Sequence, residues 1–409
     1  MRDFKNYLLN GLLIAAPALA HASDSSPHPL ELNYDKGYLV FSSPDKSYQM
    51  KIDGRIMLDT GAVQAEKNNL KSDSEIRRAR LAFKTVYDNT WAGEFDIDFA
   101  GNESKIKDMW VAYIAIPNTT IKIGNHKPHF SLAESTTSRW YPLMETPMVS
   151  DSFGVGRRIG LSASNWNKRY FIGLSVFGDD IGVSSADEDQ SETFGYASRG
   201  LFRPLLSDDA RRFTHIGYNY LHYSPQSDED REIKFKAGLE NEVADYKFLD
   251  TGKIDNVKDI STYGLEIAGQ FDRWMFSGEY LNTSVSRDEG SADYESSGFY
   301  LESSYFLTGD GRSYNLSDGE FGPVIPSSEH GDLELILRYS TLDLSDDSAD
   351  IYGGASDNVT LGLNWYAHKN VVFRLNYIHA AMDDNADDDG DLIGGDTVET
   401  YAMRIQYLF

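Results

Sequence analysis

The chain has 409 residues, 41% of them hydrophobic and 13% aromatic, with a formal charge of −26 and no cysteine. That excess of acid argues against nucleic-acid binding, which neutralises phosphates with Lys and Arg. The missing cysteine excludes disulfides, thiolate metal sites and a cysteine nucleophile. A moderate hydrophobic fraction beside 25 Tyr and 21 Phe fits strands that alternate apolar and polar residues, a pattern that hides their hydrophobicity from any average.

Arg2 and Lys5 precede an apolar stretch from Tyr7 to Ala20, and Ala20, His21 and Ala22 form a small-x-small cleavage site. Residues 1–22 are therefore expected as a secretory signal peptide. Residues 23–47 are expected as a periplasmic N-terminal lead, and residues 48–409 as one transmembrane β-barrel.

From Tyr48 onward, period-two segments are separated alternately by short turns and longer, acid-rich loops. About sixteen strands follow, at roughly 48–60, 74–86, 91–100, 106–117, 119–124, 158–166, 168–177, 192–203, 211–223, 261–270, 273–284, 293–307, 329–342, 357–366, 371–381 and 398–409. Short connections stand at Asp88-Asn89-Thr90, Pro117-Asn118-Thr119, Trp166-Asn167-Lys168, Phe271-Asp272-Arg273 and 367–370. The last strand carries Tyr401, Met403, Ile405, Tyr407 and Phe409 on one face and Thr400, Ala402, Arg404 and Gln406 on the other. Apolar on one side, polar on the other, and ending on an aromatic, it suits a closing barrel strand. The fold class expected is all-β, a 16-stranded antiparallel transmembrane barrel wide enough to hold an aqueous channel.

Along the inward face, Lys51, Asp53, Arg55 and Asp59 fall on the first strand, Arg78 and Arg80 on the second, and Glu94, Asp96 and Asp98 on the third. A basic residue facing lipid near the midplane costs about 2 to 4 kcal/mol, so these charges must line water. Rings of charge in a pore select ions electrostatically. Residues 125–157 break the alternation and are too long and aromatic for an exposed disordered loop. They are expected to fold into the lumen as a constriction loop. Residues 224–260 carry Arg231, Lys234 and Lys236, which would form a basic entry site if this segment covers the mouth.

The runs Leu30 to Tyr38 with Lys51-Ile52-Asp53-Gly54-Arg55, Ile76 to Phe83, Phe130 to Leu132 with Thr137 to Trp140, and Thr360 to Tyr366 resemble those of the phosphate-selective porin O and P family. The resemblance covers essentially the whole mature chain. It implies a homotrimeric pore constricted by the third extracellular loop, with stacked basic residues guiding anions inward. On that likeness, Arg77 and Arg78 match paired arginines that coordinate phosphate near the constriction; Arg80 on the inward face and Lys127, Thr137 and Arg139 in the constriction loop are expected to line the pore with them. Strict alternation turns one of the two arginines outward, so a bulge or a rim position is needed for both to serve. Arg231, Lys234 and Lys236 resemble the family's basic ladder, with lysine losing the bidentate fork of arginine. Two positions depart: Glu134 stands where selective members have a phosphate-binding lysine, and Thr146 where they have an arginine.

Asn385, Asp387, Asp389, Gly390 and Asp396 approximate a calcium loop, but the twelfth position is Asp and no helices flank it. A solvated loop is the expectation there, with no metal and no cofactor. His126 and His129 could serve as a base for Ser131, Ser135 or Ser138, yet the spacing orders no Ser-His-carboxylate set. The expected function is therefore not enzymatic. It is a passive channel for small anions such as phosphate or polyphosphate, in the outer membrane of a Gram-negative bacterium. The alternatives are a general or cation-preferring porin of the same fold and, further off, a barrel hydrolase.

Overall fold

The computed structural model describes residues 30–35, 38–101, 104–181, 193–208, 211–225, 231–243, 246–288 and 290–409. The expected signal peptide at 1–22 and most of the acidic segment 179–192 lie outside the described residues. Sixteen strands form the wall: β1 (Tyr48–Ala65), β2 (Ser74–Tyr87), β3 (Trp91–Asp98), β4 (Lys105–Tyr113), β5 (Thr119–His126), β6 (Arg158–Trp166), β7 (Tyr170–Phe177), β8 (Thr193–Leu206), β9 (Arg212–Pro225), β10 (Val257–Phe271), β11 (Trp274–Arg287), β12 (Tyr294–Phe306), β13 (Asp332–Asp346), β14 (Ile351–His368), β15 (Val371–Met382) and β16 (Thr397–Leu408). Each pairs antiparallel with the next. β16 pairs with β1, from Val398 opposite Ala65 to Leu408 opposite Arg55, and closes the sheet. All sixteen expected strands are present. β1, β13 and β14 run several residues further toward the loop end than the alternation indicated.

Burial is inverted relative to a water-soluble protein. On β14, Val359, Leu361, Leu363 and Trp365 are exposed while Asn358, Thr360 and Asn364 are buried. Apolar side chains face outward along the other strands too, so the lumen receives the polar set. Aromatic pairs ring the outside at two heights. Trp91–Tyr113, Trp274–Tyr305 and Trp365–Phe373 lie toward the end with short turns, and Tyr220–Tyr263 and Tyr377–Tyr401 toward the end with long loops. No helix among the described residues is long and apolar enough to cross a membrane; the strands are the spanning elements.

The first described residues and the C-terminus lie at the turn end. The tight turn after β2 places Asp88 and Asn89 at φ 52° and 47°, as the two-residue primed turns of hairpins require. The Phe409 ring lies over Gly54, where a Cβ would stand 2.3 Å from it, so the terminal aromatic needs glycine beneath it. Residues Glu31–Asp35 and Tyr38–Ser42 pair as a hairpin whose second strand joins β1 from Ile52 to Gln49, below the end of β16.

Three inserts fill much of the lumen. The β5–β6 loop enters from the loop end with two short helices, α1 (Leu132–Ser135) and α2 (Met148–Phe153). The β9–β10 loop packs Phe235, Leu239, Phe248 and Ile254 around α2, which contributes Val149 and Phe153. The third insert was not expected: the β12–β13 connection, residues 307–331, belongs to the turn end yet folds inward. Its Tyr314 and Phe321 meet Leu132 of α1, and its Arg312 donates to the Trp140 carbonyl at 3.0 Å. Inserts from opposite ends thus touch inside the barrel.

Leu361→Arg should weaken folding into lipid vesicles by about 2 to 4 kcal/mol, the cost of a basic side chain against the acyl chains. Urea titration of the compact, unheated gel band measures it. Stability equal to that of Leu361→Ala would show that this face does not meet lipid.

Candidate functional site

The lumen divides into two halves. Against β8–β15, most buried charge is paired: Arg199 with Glu266 at 2.8 Å, Arg312 with Glu334 at 2.7 Å, and Arg338 with Glu302 at 2.8 Å and Glu240 at 3.1 Å; buried Arg203 and Arg374 donate instead to neutral oxygens, among them Tyr314 Oη and the Leu316 carbonyl, and Gln406 Oε1 and the Tyr141 carbonyl. A buried ion persists only when hydrogen-bonding partners replace its hydration, and these contacts fill much of that half. Against β1–β5 a cavity of about 650 Å³ remains, bounded by the β5–β6 loop and by Asn315, Asp318 and Glu320 of the third insert. Eleven Lys and Arg residues and ten Asp and Glu residues line it. A chain with a formal charge of −26 therefore has a nearly balanced pore, marginally basic.

The charges are layered by strand register. Toward the turn end, Lys84 lies 3.1 Å from Glu94 and 3.6 Å from Asp53, which Lys51 approaches at 3.5 Å and Arg139 also contacts. Tyr38 of the terminal hairpin sits under Lys51, with the ammonium 3.3 Å from the ring centroid, a favourable cation–π contact. In the middle layer Arg80 binds Asp98 at 2.7 Å, Arg157 binds Asp108 at 2.6 Å, and Arg55 donates to Thr137 Oγ1 at 3.2 Å. Arg55, Lys107 and Lys122 have no carboxylate partner among the described residues; Lys122 lies over the Trp110 ring at 4.4 Å.

Toward the loop end stands a cluster built on a bulge. The β1–β2 register shifts between Met57, opposite Arg78, and Leu58, opposite Ile76. Arg77 is the extra residue, and the bulge turns it inward beside Arg78. Both guanidiniums meet one carboxylate, Glu145 of the β5–β6 loop. Arg77 donates through Nε at 3.0 Å and Nη2 at 3.2 Å, and Arg78 through Nη1 at 3.1 Å and Nη2 at 3.0 Å. Arg404 of β16 adds a third contact at 2.5 Å while holding Asp59 at 2.6 Å. Arg77 also reaches Glu242 at 3.2 Å. Burial would raise the Glu145 carboxyl, but Arg78, Arg77 and Arg404 outweigh it and hold it well below the usual carboxylate range.

The remaining expected residues each have a defined place. Lys127 lies 3.4 Å from Glu134 Oε2 and donates to the Glu134 carbonyl at 2.5 Å, and Thr146 lines the cavity beside Glu145. At the loop end Arg231 pairs with Asp288 at 2.6 Å, Lys234 with Asp250 at 2.9 Å and Asp389 at 3.2 Å, and Lys236 with Asp250 at 2.7 Å. Asp396 accepts from the backbone N–H groups of Glu66, Lys67 and Asn68; its carboxylate ties two loops together. The His126 ring bonds the Gly124 carbonyl at 2.8 Å and Ser162 Oγ at 2.5 Å, and His129 stacks edge-on against Phe171. Neither ring hydrogen-bonds a carboxylate among the described residues.

Sequence reasoning had no means to find Glu145, one acid in a loop whose partners come from β2 and β16. Glu320 had a usable signal, the 21-residue gap between the expected strands at 293–307 and 329–342, on the side where other connections are short.

The β5–β6 loop is held largely by its backbone. Glu279 accepts from Leu132 N at 2.6 Å, Ala133 N at 2.9 Å and Ser131 Oγ at 3.0 Å. Asn364 donates to the Pro142 carbonyl at 2.7 Å, and Arg338 to the Glu145 carbonyl at 3.0 Å. Glu279→Ala should orphan two buried N–H groups at about 1 to 3 kcal/mol each. The expected result is a loosened loop, with larger and noisier single-channel current from an intact barrel. Wild-type current levels and noise would mean that Glu279 does not anchor the constriction.

The family model for the phosphate-selective porins O and P matches residues 50–409. Porin O of Pseudomonas aeruginosa is 25% identical over 452 residues, spanning 98% of both chains. An uncharacterized protein of Caulobacter vibrioides is 28% identical over 384 residues, 88% of this chain and 75% of its own length. Among solved structures, an anion-selective porin from Comamonas acidovorans superposes with a TM-score of 0.57 at 13% identity, covering 88% of this chain and all of its own. The outer membrane channel DcaP of Acinetobacter baumannii gives 0.53 at 12% identity, covering 90% and 99%. Likeness at those identities speaks to the fold.

Proposed function

The chain belongs to the phosphate-selective porin O and P family, and we propose that this outer-membrane porin passes small anions by diffusion along the β1–β5 side of the barrel. The supporting observation is the set of cations without a carboxylate partner among the described residues, Arg55, Lys107 and Lys122, in a cavity whose other basic groups each meet an acid. An anion moving along this wall passes from one guanidinium or ammonium to the next, and the ion pairs beside them keep any single site shallow enough to leave. Phosphate and polyphosphate are the solutes suggested by the family's name. The second reading, a general or cation-preferring pore, draws support from the near balance of lumen charge and from acidic loop-end residues such as Asp343, Asp346 and Asp347.

The expected homotrimer has its own support. Strands β3 to β7 have eight or nine residues each, against twelve to eighteen in the other strands. Nine tilted residues barely cover the hydrocarbon. Away from the Trp91–Tyr113 pair and Phe95, their outward side chains, among them Met109, Val111, Ile123 and Leu161, are aliphatic and exposed. A low, smooth wall of this kind suits burial against neighbouring copies. The unheated protein should migrate as a heat-labile trimer on a detergent gel; migration as a single chain under all mild conditions would refute the assembly. Export with removal of residues 1–22, and residues 23–47 as a periplasmic lead before the 48–409 barrel, complete the proposal.

Selectivity should depend on pH. Burial pushes the Glu320 carboxyl up to about 8, with Asp318 adding to the rise and Arg199, Lys127 and the Thr137 N–H opposing it. Below that value Glu320 is neutral; above it, a negative charge appears in the lumen. The chloride-to-potassium permeability ratio, read from the zero-current potential in a KCl gradient, should therefore fall between pH 7 and 9. Glu320→Gln should flatten the fall. A cation-directed potential already at pH 7 would favour the second reading, and a flat ratio in the parent protein would remove Glu320 from the account.

A further inference from the structure

We propose that Glu145 is a built-in occupant of an oxyanion site formed by Arg77, Arg78 and Arg404, so that the chain itself keeps this site closed to phosphate-like solutes. The inference rests on the anion-channel reading and adds the residue that sets its specificity.

Geometry carries it. One carboxylate receives five N–H contacts from three guanidiniums at 2.5 to 3.2 Å, the arrangement that a tetrahedral oxyanion draws from arginine forks. The bulge at Arg77 brings both adjacent arginines to the same acceptor. Asp59 and Glu242 each take one arginine of the set, so with Glu145 present three cations face three anions. Without its charge, one positive charge is left at the mouth of the cavity, and Arg78 has no other carboxylate partner among the described residues.

The loop has anchors other than the Glu145 side chain. Backbone carbonyls at Met144 and Glu145 are held by Arg404 and Arg338, the Met148 N–H by Glu240 at 3.1 Å, and the Tyr141 carbonyl by Arg374 at 3.2 Å. A neutral isostere at 145 therefore leaves the constriction in place while vacating the anion position. The carboxylate is tethered, so its local concentration exceeds that of any free solute and it competes permanently for the three arginines.

The experiment is chloride conductance through purified protein in planar bilayers while inorganic phosphate is added, comparing the parent, Glu145→Gln and Glu145→Gln combined with Arg78→Gln. Conductance with trimer-like gel migration reports intact folding. The inference expects Glu145→Gln to be blocked at a phosphate concentration at least about tenfold below that needed for the parent, the value of regaining one charge-assisted hydrogen bond. The double variant should lose that gain. Equal phosphate sensitivity in the parent and Glu145→Gln overturns the inference. So does a gain that survives Arg78→Gln. If Glu145→Gln does not insert, Arg78→Gln alone decides: a closed site predicts parental phosphate sensitivity, and a marked loss would show that phosphate already uses Arg78. A parent pore that prefers cations would defeat the anion-channel reading, yet a phosphate block appearing only in Glu145→Gln would still uphold the masked site.

Discussion

Charge inside the barrel must be paired, and that constraint organises the molecule. The lipid face takes apolar side chains, so across the bilayer alternation sends the polar ones inward. The lumen of a sixteen-stranded barrel is too wide for the wall alone to satisfy them. Opposed strands supply some partners, as Arg404 and Asp59 do across the β16–β1 seam. The rest come from inserts: Glu240 of the β9–β10 loop reaches Arg338, Glu145 of the β5–β6 loop reaches Arg77 and Arg78, and Arg312 of the turn-end insert reaches Glu334. Each insert is at once a plug and a source of countercharge.

This explains why the open path is off-centre. Where buried arginine and glutamate meet with bidentate geometry, as at Arg199 and Glu266, the inserts are held against the wall and little space is left. On the β1–β5 side the basic groups are more numerous than well-matched acids, and Lys51 and Lys84 share Asp53 at 3.5 and 3.6 Å, beyond ordinary hydrogen-bond length. Loosely matched charge keeps its hydration, and hydration keeps the passage open. Rigidity on one side thus fixes the inserts that shape the other.

Legibility in the sequence followed the range of the interaction. Strands are written in local period-two alternation, so all sixteen were visible, and short turns such as Asp88-Asn89 carry their own signature. Where β1, β13 and β14 outran expectation, their extra residues leave the bilayer and no longer need an apolar face. The inward loop at 125–157 was visible because length and aromatic content contradicted exposure. Alternation left a bulge or a rim position as the two ways for both Arg77 and Arg78 to serve, and the fold uses the bulge. Glu145 was not visible, because its meaning comes from two strands distant in sequence, and neither was the inward fold of residues 307–331. Arg231, Lys234 and Lys236 were found as cations, but only the fold reveals the carboxylates beside them.

The total charge of such a chain says little about what its pore prefers. Exposed acids at the loop end, such as Asp347, act through water and salt, and their field decays within a Debye length of about 8 Å at physiological ionic strength. A buried group such as Glu145 or Arg55 acts at contact, in a medium that screens far less. Eleven basic and ten acidic residues line the cavity, a balance close enough that the ionisation of one carboxylate shifts the preference of the constriction. Relatives sharing this barrel can therefore differ in solute by one residue in a loop, with the wall, the bulge and the backbone anchors unchanged.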